Sequence, residues 1–245
     1  EIIREINLRI IMNNENIKFP YKVNKQLVEN IFSNKRKIIH KRISISSHIG
    51  LVNGLYATNM GTGGITIIQI FKTYSDVKLS LMITGQQGDV MKESIKCAKT
   101  IAWNLLPHSI KKNTIKDLEK QVWGLHVHCP EASVPKDGPS AGAAITLALV
   151  SLFTNIPVRN DVALTGEIDL NGDILVIGGL EYKIEGGKKA GVTTICYPEG
   201  NAQDIEIVKN TNPEVLENIN LIKVKNIFQV LEICLEPHEL KFTRF

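Results

Sequence analysis

Residues 123–154 read WGLHVHCPEASVPKDGPSAGAAITLALVSLFT, and the fold class turns on how this stretch divides. Trp123–Cys129 has the length and composition of one strand. Residues 130–139, PEASVPKDGP, set three prolines and a glycine in ten positions, which predicts a fixed loop. Ser140–Thr154 is apolar almost all round and predicts a helix buried on most of its sides. A strand, a stiff loop and a buried helix in succession belong to a layered α/β domain.

Working outward, the same alternation continues. Upstream, Leu51–Thr58 and Ile65–Tyr74 read as strands around the turn residues Gly61, Gly63 and Gly64, and Leu79–Thr84 as a third. Asp89–Leu106 switches to helical period, with Ile95, Ala98, Ile101 and Leu105 on one face, Asp89 placed as the cap and Pro107 as the stop. Downstream, Val162–Leu170 and Asp173–Ile177 flank Asn171-Gly172, a hairpin signal in which both turn positions take positive φ. Gly178-Gly179 then opens a short helix to about Lys189. Strand Thr193–Tyr197, helix Ala202–Lys209, strand Asn220–Val224 and helix Ile227–Leu235 complete the pattern. Hairpins first and strand–helix alternation afterwards predict an α/β domain with a mixed sheet.

The first residues differ. EIIREINLRIIM at 1–12 spaces Ile2, Ile6 and Ile10 four apart, with Ile3 and Ile11 alongside, and sets Glu1, Arg4, Glu5 and Arg9 mostly opposite. It reads as the end of a helix whose partner lies outside this chain. Asn13, Asn14 and Asn16 break it. A short periodic stretch from Val23 to Phe32 leads into a basic run, Lys35, Arg36, Lys37, Lys41 and Arg42, which is read as a solvated linker. A boundary falls near residue 45. With an initial Glu1 in place of Met and no charged-then-apolar leader, the chain reads as a fragment of something longer.

Composition narrows the class. The chain has 245 residues, 29 Lys+Arg against 25 Asp+Glu, and a net charge of +4, with 43% hydrophobic and 22% charged residues. These are the proportions of a globular protein, not of a disordered or fibrous one. The charge is too mild to point to a nucleic-acid partner, and no apolar run reaches the ~18 residues of a membrane span. Cys97, Cys129, Cys196 and Cys234 stand singly, without a CxxC pair, which fits a reducing compartment.

The chemistry centres on Pro135-Lys136-Asp137-Gly138-Pro139-Ser140-Ala141-Gly142. Ser140 falls where loop becomes helix. Its structural role there would be an N-cap. Its chemical role would be a nucleophile beside helix-terminal N–H groups able to hold an oxyanion, with small Ala141 and Gly142 admitting a peptide backbone. Gly138–Gly142 also fits G-x-S-x-G, the nucleophile elbow, but that motif needs a strand running straight into the turn and an acid and a histidine downstream. Here Pro130 and Pro135 separate the serine from the strand by about ten residues, and only His238 follows Ser140. A nucleophilic serine needs a base. Lysine serves once neutral, which requires a pKa lowered by ~3 units, or ~4 kcal/mol, as burial can provide. Lys183, among Ile177, Leu180 and Ile184, is the candidate. His126 and His128 share one strand face, but no third histidine stands at ligand spacing, and satisfied strand histidines are preferred to a metal site. Gly61-Thr62-Gly63-Gly64 lacks the G-x-x-x-x-G-K-[ST] pattern of a phosphate-binding loop.

PKDGPSAG at 135–142, TGEIDLNGDILVIGGL at 165–180 with Lys183 following, and TGQQGDVMKES at 84–94 together resemble the proteolytic domain of the Lon family of ATP-dependent proteases. The likeness runs from about Gly50 to about Leu235. It implies the Lon proteolytic fold, related to the second domain of ribosomal protein S5, for residues 46–245. It implies that residues 1–45 are the last piece of an ATPase lid plus a linker. It implies a serine–lysine dyad on Ser140 and Lys183, Thr165 as the partner that orients the lysine, and Asp137 and Glu131 as rim residues without proton transfer. By the same resemblance this chain carries no cofactor of its own. ATP and Mg belong to a P-loop ATPase upstream, the full-length protein forms a ring of six, and the substrates are unfolded or damaged polypeptides. A mitochondrial matrix is expected, with the bacterial cytoplasm as the alternative; a catalytically silent ring-forming scaffold is the alternative function. Three features depart from the family pattern. Ala132 and Ser133 stand where the family has the last two residues of PEGA. Glu181-Tyr182 stand where the family has two charged residues before the lysine. Gly186-Gly187 replace two common alanines, a loss of roughly 1 kcal/mol of helix propensity each.

Overall fold

Alternate residues of one long strand set the layering. In Gly63–Tyr74 (β2), Ile68 and Ile70 enter one apolar cluster while Ile65 and Ile67 enter another, so the sheet is covered on two faces. The computed structural model describes residues 2–13, 20, 22–33, 41–131 and 134–243. Within them, Leu51–Ala57 (β1), Leu81–Thr84 (β3), Trp123–His128 (β4), Val162–Leu164 (β5), Thr194–Pro198 (β8) and Asn220–Val224 (β9) join β2 in a seven-stranded sheet. Its order is β3-β4-β2-β1-β5-β8-β9. β1, β2 and β4 pair antiparallel, and every other neighbouring pair is parallel. Glu167–Ile168 (β6) and Ile174–Leu175 (β7) form a separate two-stranded hairpin. The mixed sheet expected from the sequence is present.

One face carries Asp89–Leu105 (α3), Gly142–Thr154 (α5) and Ile227–Cys234 (α8). Residues 142 to 151 of α5 are all buried, which accounts for its lack of a polar stripe. The other face carries Leu180–Ala190 (α6) and Ala202–Thr211 (α7). Residues 1–39 form a separate compact unit containing helices Ile2–Asn13 (α1) and Lys25–Ile31 (α2), the latter capped by Asn24, whose Oδ1 accepts from Leu27 N at 2.8 Å. In α1, Ile3 and Ile11 are exposed. Glu1, Asn14, Asn16, Lys35, Arg36, Lys37, Ala132 and Ser133 lie outside the described residues.

Three expectations are corrected. First, Val162–Leu170 is not one strand: the chain leaves the sheet at Thr165-Gly166, where Gly166 N donates to Ser140 O at 2.8 Å. Second, the β6–β7 connection puts only Gly172 at positive φ (84°), and Gly172 N donates to Asp169 O. This is a three-residue loop closing on a left-handed glycine, braced by Asp169 Oδ1 accepting from Asn171 N and Asp173 N at 2.9 Å each. Third, His108–Lys120 (α4) is helical although no such element is expected after Pro107. It buries only Thr114 and Leu118, too sparse a stripe for the apolar period to show.

Candidate active site

Ser140 sits in a 3-10 turn, Pro139–Ala141, that leads into α5. It is not the N-cap expected from its position: neither the turn nor α5 has a side-chain cap. Among the described residues, Ser140 Oγ makes no hydrogen bond, and the residue is half-buried. The backbone beside it is held firmly instead. Ser140 O accepts from Gly166 N at 2.8 Å and from Thr165 Oγ1 at 3.3 Å, while Ala143 N donates to Gly166 O at 3.1 Å. Gly142 is small for packing, not for substrate: a Cβ there would lie 2.8 Å from Ile168 Cγ2 and from Ser94 Oγ.

The described residues of the loop before Ser140 are pinned at several points. Gly88 N donates to Lys136 O at 2.7 Å and Lys136 N to Gln86 O at 2.9 Å. Lys136 Nζ donates back to Glu131 O and Val134 O. Asp137 Oδ1 accepts from Met91 N at 2.9 Å and Gly138 N at 2.9 Å. Met91 lies in the first turn of α3, so the cap assigned to Asp89 from the sequence is supplied by Asp137 from a distant loop. Glu131 stands exposed at φ 66° and pairs with Lys41 Nζ at 3.1 Å.

Lys183 lies in the first turn of α6 and is 4% exposed. Burial lowers its pKa from 10.5 to about 8. Its Nζ donates to Thr165 Oγ1 at 3.0 Å, and that hydroxyl donates onward to Ser140 O. Among the described residues this is the amine's one hydrogen bond, and no ion pair joins Lys183 to Asp137. An ammonium has three donors to satisfy; a neutral amine has two and a lone pair. Relative to water, the site therefore shifts the balance toward the neutral form.

The structure brings Ser140, Lys183 and Thr165 together, with no hydrogen bond between Ser140 Oγ and Lys183 Nζ. Both side chains face one cavity of about 600 Å³, which Asp137, Glu167, Tyr56 and Tyr182 also line. On the other side of Ser140 a second cavity of about 230 Å³ is walled by Leu55, Ile68, Met91 and Ala141, with Glu131 and Asp137 at its edge. The sequence did not single out Glu167 or Met91, because their approach to Ser140 depends on long-range packing and leaves no local spacing signal; Tyr182 stood out only as a departure from the family pattern beside Lys183.

His126 and His128 both bond the Thr84 hydroxyl, Nε2 at 2.8 Å and Nδ1 at 2.7 Å. Among the described residues no group of three or more metal-ligating side chains occurs, and no helix is long and apolar enough to cross a membrane.

The mixed sheet, the buried lysine and the serine at a helix entrance thus lie together in one domain, on the walls of one cavity. Residues 22–237 match the family described as Lon protease (S16) C-terminal proteolytic domain. The chain is 42% identical over 221 residues to a Lon protease homolog of Acanthamoeba polyphaga mimivirus, covering 88% of this chain and 21% of that protein. It is 40% identical over 194 residues to the Lon protease of Elusimicrobium minutum (79% and 22%). It is also 40% identical over 189 residues to that of Rickettsia typhi (76% and 23%). The chain belongs to the Lon protease family, in its proteolytic domain. It spans between a fifth and a quarter of the length of these curated relatives.

Proposed function

We propose that the chain hydrolyses peptide bonds with Ser140 as nucleophile and Lys183 as general base. The observation that carries this reading is the buried Lys183 amine, held by Thr165 and facing the same cavity as an unbonded Ser140 hydroxyl. With its pKa lowered to about 8, about one amine in ten is neutral at pH 7, against about one in three thousand at 10.5. On substrate binding the two side chains come within hydrogen-bond distance. Lys183 then takes the proton from Ser140 Oγ, which attacks the peptide carbonyl. Backbone N–H groups at the start of the helix stabilise the tetrahedral oxyanion. Lys183 returns its proton to the leaving amine, and water hydrolyses the acyl-enzyme by the reverse route. The smaller, mostly apolar cavity beside Ser140 is suited to a medium-sized apolar side chain on the acyl side.

In the whole protein, residues 1–45 are the end of an ATPase lid plus linker, and residues 46–245 the proteolytic domain. An upstream ATPase using ATP and Mg feeds unfolded or damaged polypeptides into a hexameric ring. Four free cysteines fit a reducing compartment, and the bacterial relatives favour a bacterial cytoplasm over the mitochondrial matrix. The test is cleavage of unfolded casein and labelling of Ser140 by a serine-directed peptide boronate. Both are expected to disappear in Ser140→Ala and cleavage to disappear in Lys183→Ala. Normal cleavage by either variant refutes the dyad.

A further inference from the structure

Four residues, Val176 to Gly179, connect β7 to the helix that carries Lys183, and all four line the cavity that Ser140 and Lys183 share. They belong to no sheet. A side chain from the turn that opens α7, on the same face of the sheet, reaches them. Asn201, at the entrance to α7 and 1% exposed, accepts from Ile177 N through Oδ1 at 3.0 Å and donates to Ile177 O through Nδ2 at 2.8 Å. The carboxamide thus bonds both polar groups of one backbone residue, as a neighbouring strand would. Its Nδ2 also donates to the Asp204 carboxylate, which can only accept and so fixes which way the amide faces. Ile177 is buried with Leu180 and Ile184, the apolar residues on either side of Lys183. Against the same segment, a Cβ on Gly200 would lie 2.5 Å from Val176 Cγ2, so the turn before α7 presses directly on the cavity wall.

We propose that Asn201, oriented by Asp204, is a positioning residue for the peptidase site: it fixes the Val176–Gly179 wall and with it the depth at which Lys183 sits. The inference rests on the serine–lysine reading. If the clamp opens, the wall loosens, water reaches Nζ, and the burial that lowers this amine's pKa is lost. The titratable groups that face the same cavity are Asp137 from the loop before Ser140, Glu167 of β6, Tyr56 of β1 and Tyr182 of α6 itself. No described residue of β2 lines that cavity.

The experiment measures single-turnover acylation of Ser140 by a p-nitrophenyl ester as a function of pH. It compares the wild-type chain with Asn201→Asp, which keeps the shape but removes the Nδ2 donor. The expected result is an acylation rate at least tenfold lower at pH 7, with the ester's half-saturation changed less than twofold. The pH midpoint is expected to rise by half a unit or more, from near 8 toward 10.5. A merely structural role would lower the amount of folded protein, and a mere charge effect of the new carboxylate would be absent from Asp204→Ala, whose midpoint is expected to rise as well. A wild-type rate and midpoint in folded Asn201→Asp overturn the role of Asn201 alone. Undiminished acylation in Ser140→Ala or Lys183→Met overturns the dyad, and this inference with it. Should Asn201→Asp fail to unfold cooperatively, Asp204→Ala decides: a raised midpoint supports the proposal and a wild-type midpoint overturns it.

Discussion

Replacing Lys183 with methionine keeps most of the stem's volume and removes the amine, so it isolates what burying that amine costs. In the folded protein the pKa is about 8, against 10.5 for the free side chain. At ~1.36 kcal/mol per unit the difference corresponds to about 3 kcal/mol. The sign follows from proton counting. Between pH 8 and 10.5 the unfolded chain holds the proton and the folded chain has released it, so wild-type stability rises with pH through this window. Below pH 8 the full penalty is present. Lys183→Met removes the penalty and gives up one hydrogen bond to Thr165, worth about 1 kcal/mol. The variant is therefore expected to be more stable at pH 7 by about 2 kcal/mol, a rise in Tm of roughly 4–8 °C for a domain of this size. The advantage fades by about pH 10, where the folded amine is neutral and the remaining penalty of about 1 kcal/mol is matched by the lost hydrogen bond. Urea unfolding followed by circular dichroism at pH 7 and pH 10 reads both quantities, the other lysines cancelling between variants. A variant less stable than wild type at pH 7, or a difference that stays constant with pH, refutes the idea of a strained, desolvated amine. An inactive protein that is also more stable is what a functional site held against its own stability should give.

Two further outcomes follow from the packing. Gly186→Ala, which in an ordinary helix stabilises by about 1 kcal/mol, is expected to destabilise by about 1–3 kcal/mol. Its Cβ would lie 2.2 Å from Gly63 C and Gly64 N, lifting α6 off β2; thermal unfolding gives the sign directly. Asp137→Ala removes the acceptor at Met91 N and should cost about 1 kcal/mol in denaturant unfolding, with the first turn of α3 exchanging its amides faster.

What the sequence made legible was local chemistry. The turn residues, the α5 apolar run and the segments around Ser140, Thr165 and Lys183 each announce themselves within a few positions. Lost were features that depend on distant neighbours. Thr165-Gly166 continues an apolar strand pattern, and only the bond from Gly166 N to Ser140 O shows why the chain turns away there. Gly186 reads as a poor helix former, yet it is the residue that lets α6 lie against the backbone of β2. Asp89 has the right type and place for a cap, but Asp137 fills that role from 46 residues away in the chain, counted as 137 − 91 to the amide it accepts from. Asn201 looks like any loop asparagine until its carboxamide is seen bonded to both polar groups of Ile177. α4 escaped for the opposite reason: its surroundings bury two residues, so hydrophobic period carried almost no signal.

The most direct measurement is the titration of Lys183 itself, followed through its ¹³Cε resonance in lysine-labelled protein, with Lys183→Met supplying the assignment. The expected result is a midpoint near 8, about two units below the solvent-exposed lysines. Titration together with them near 10.5 would leave no neutral amine to activate Ser140 and would contradict the account.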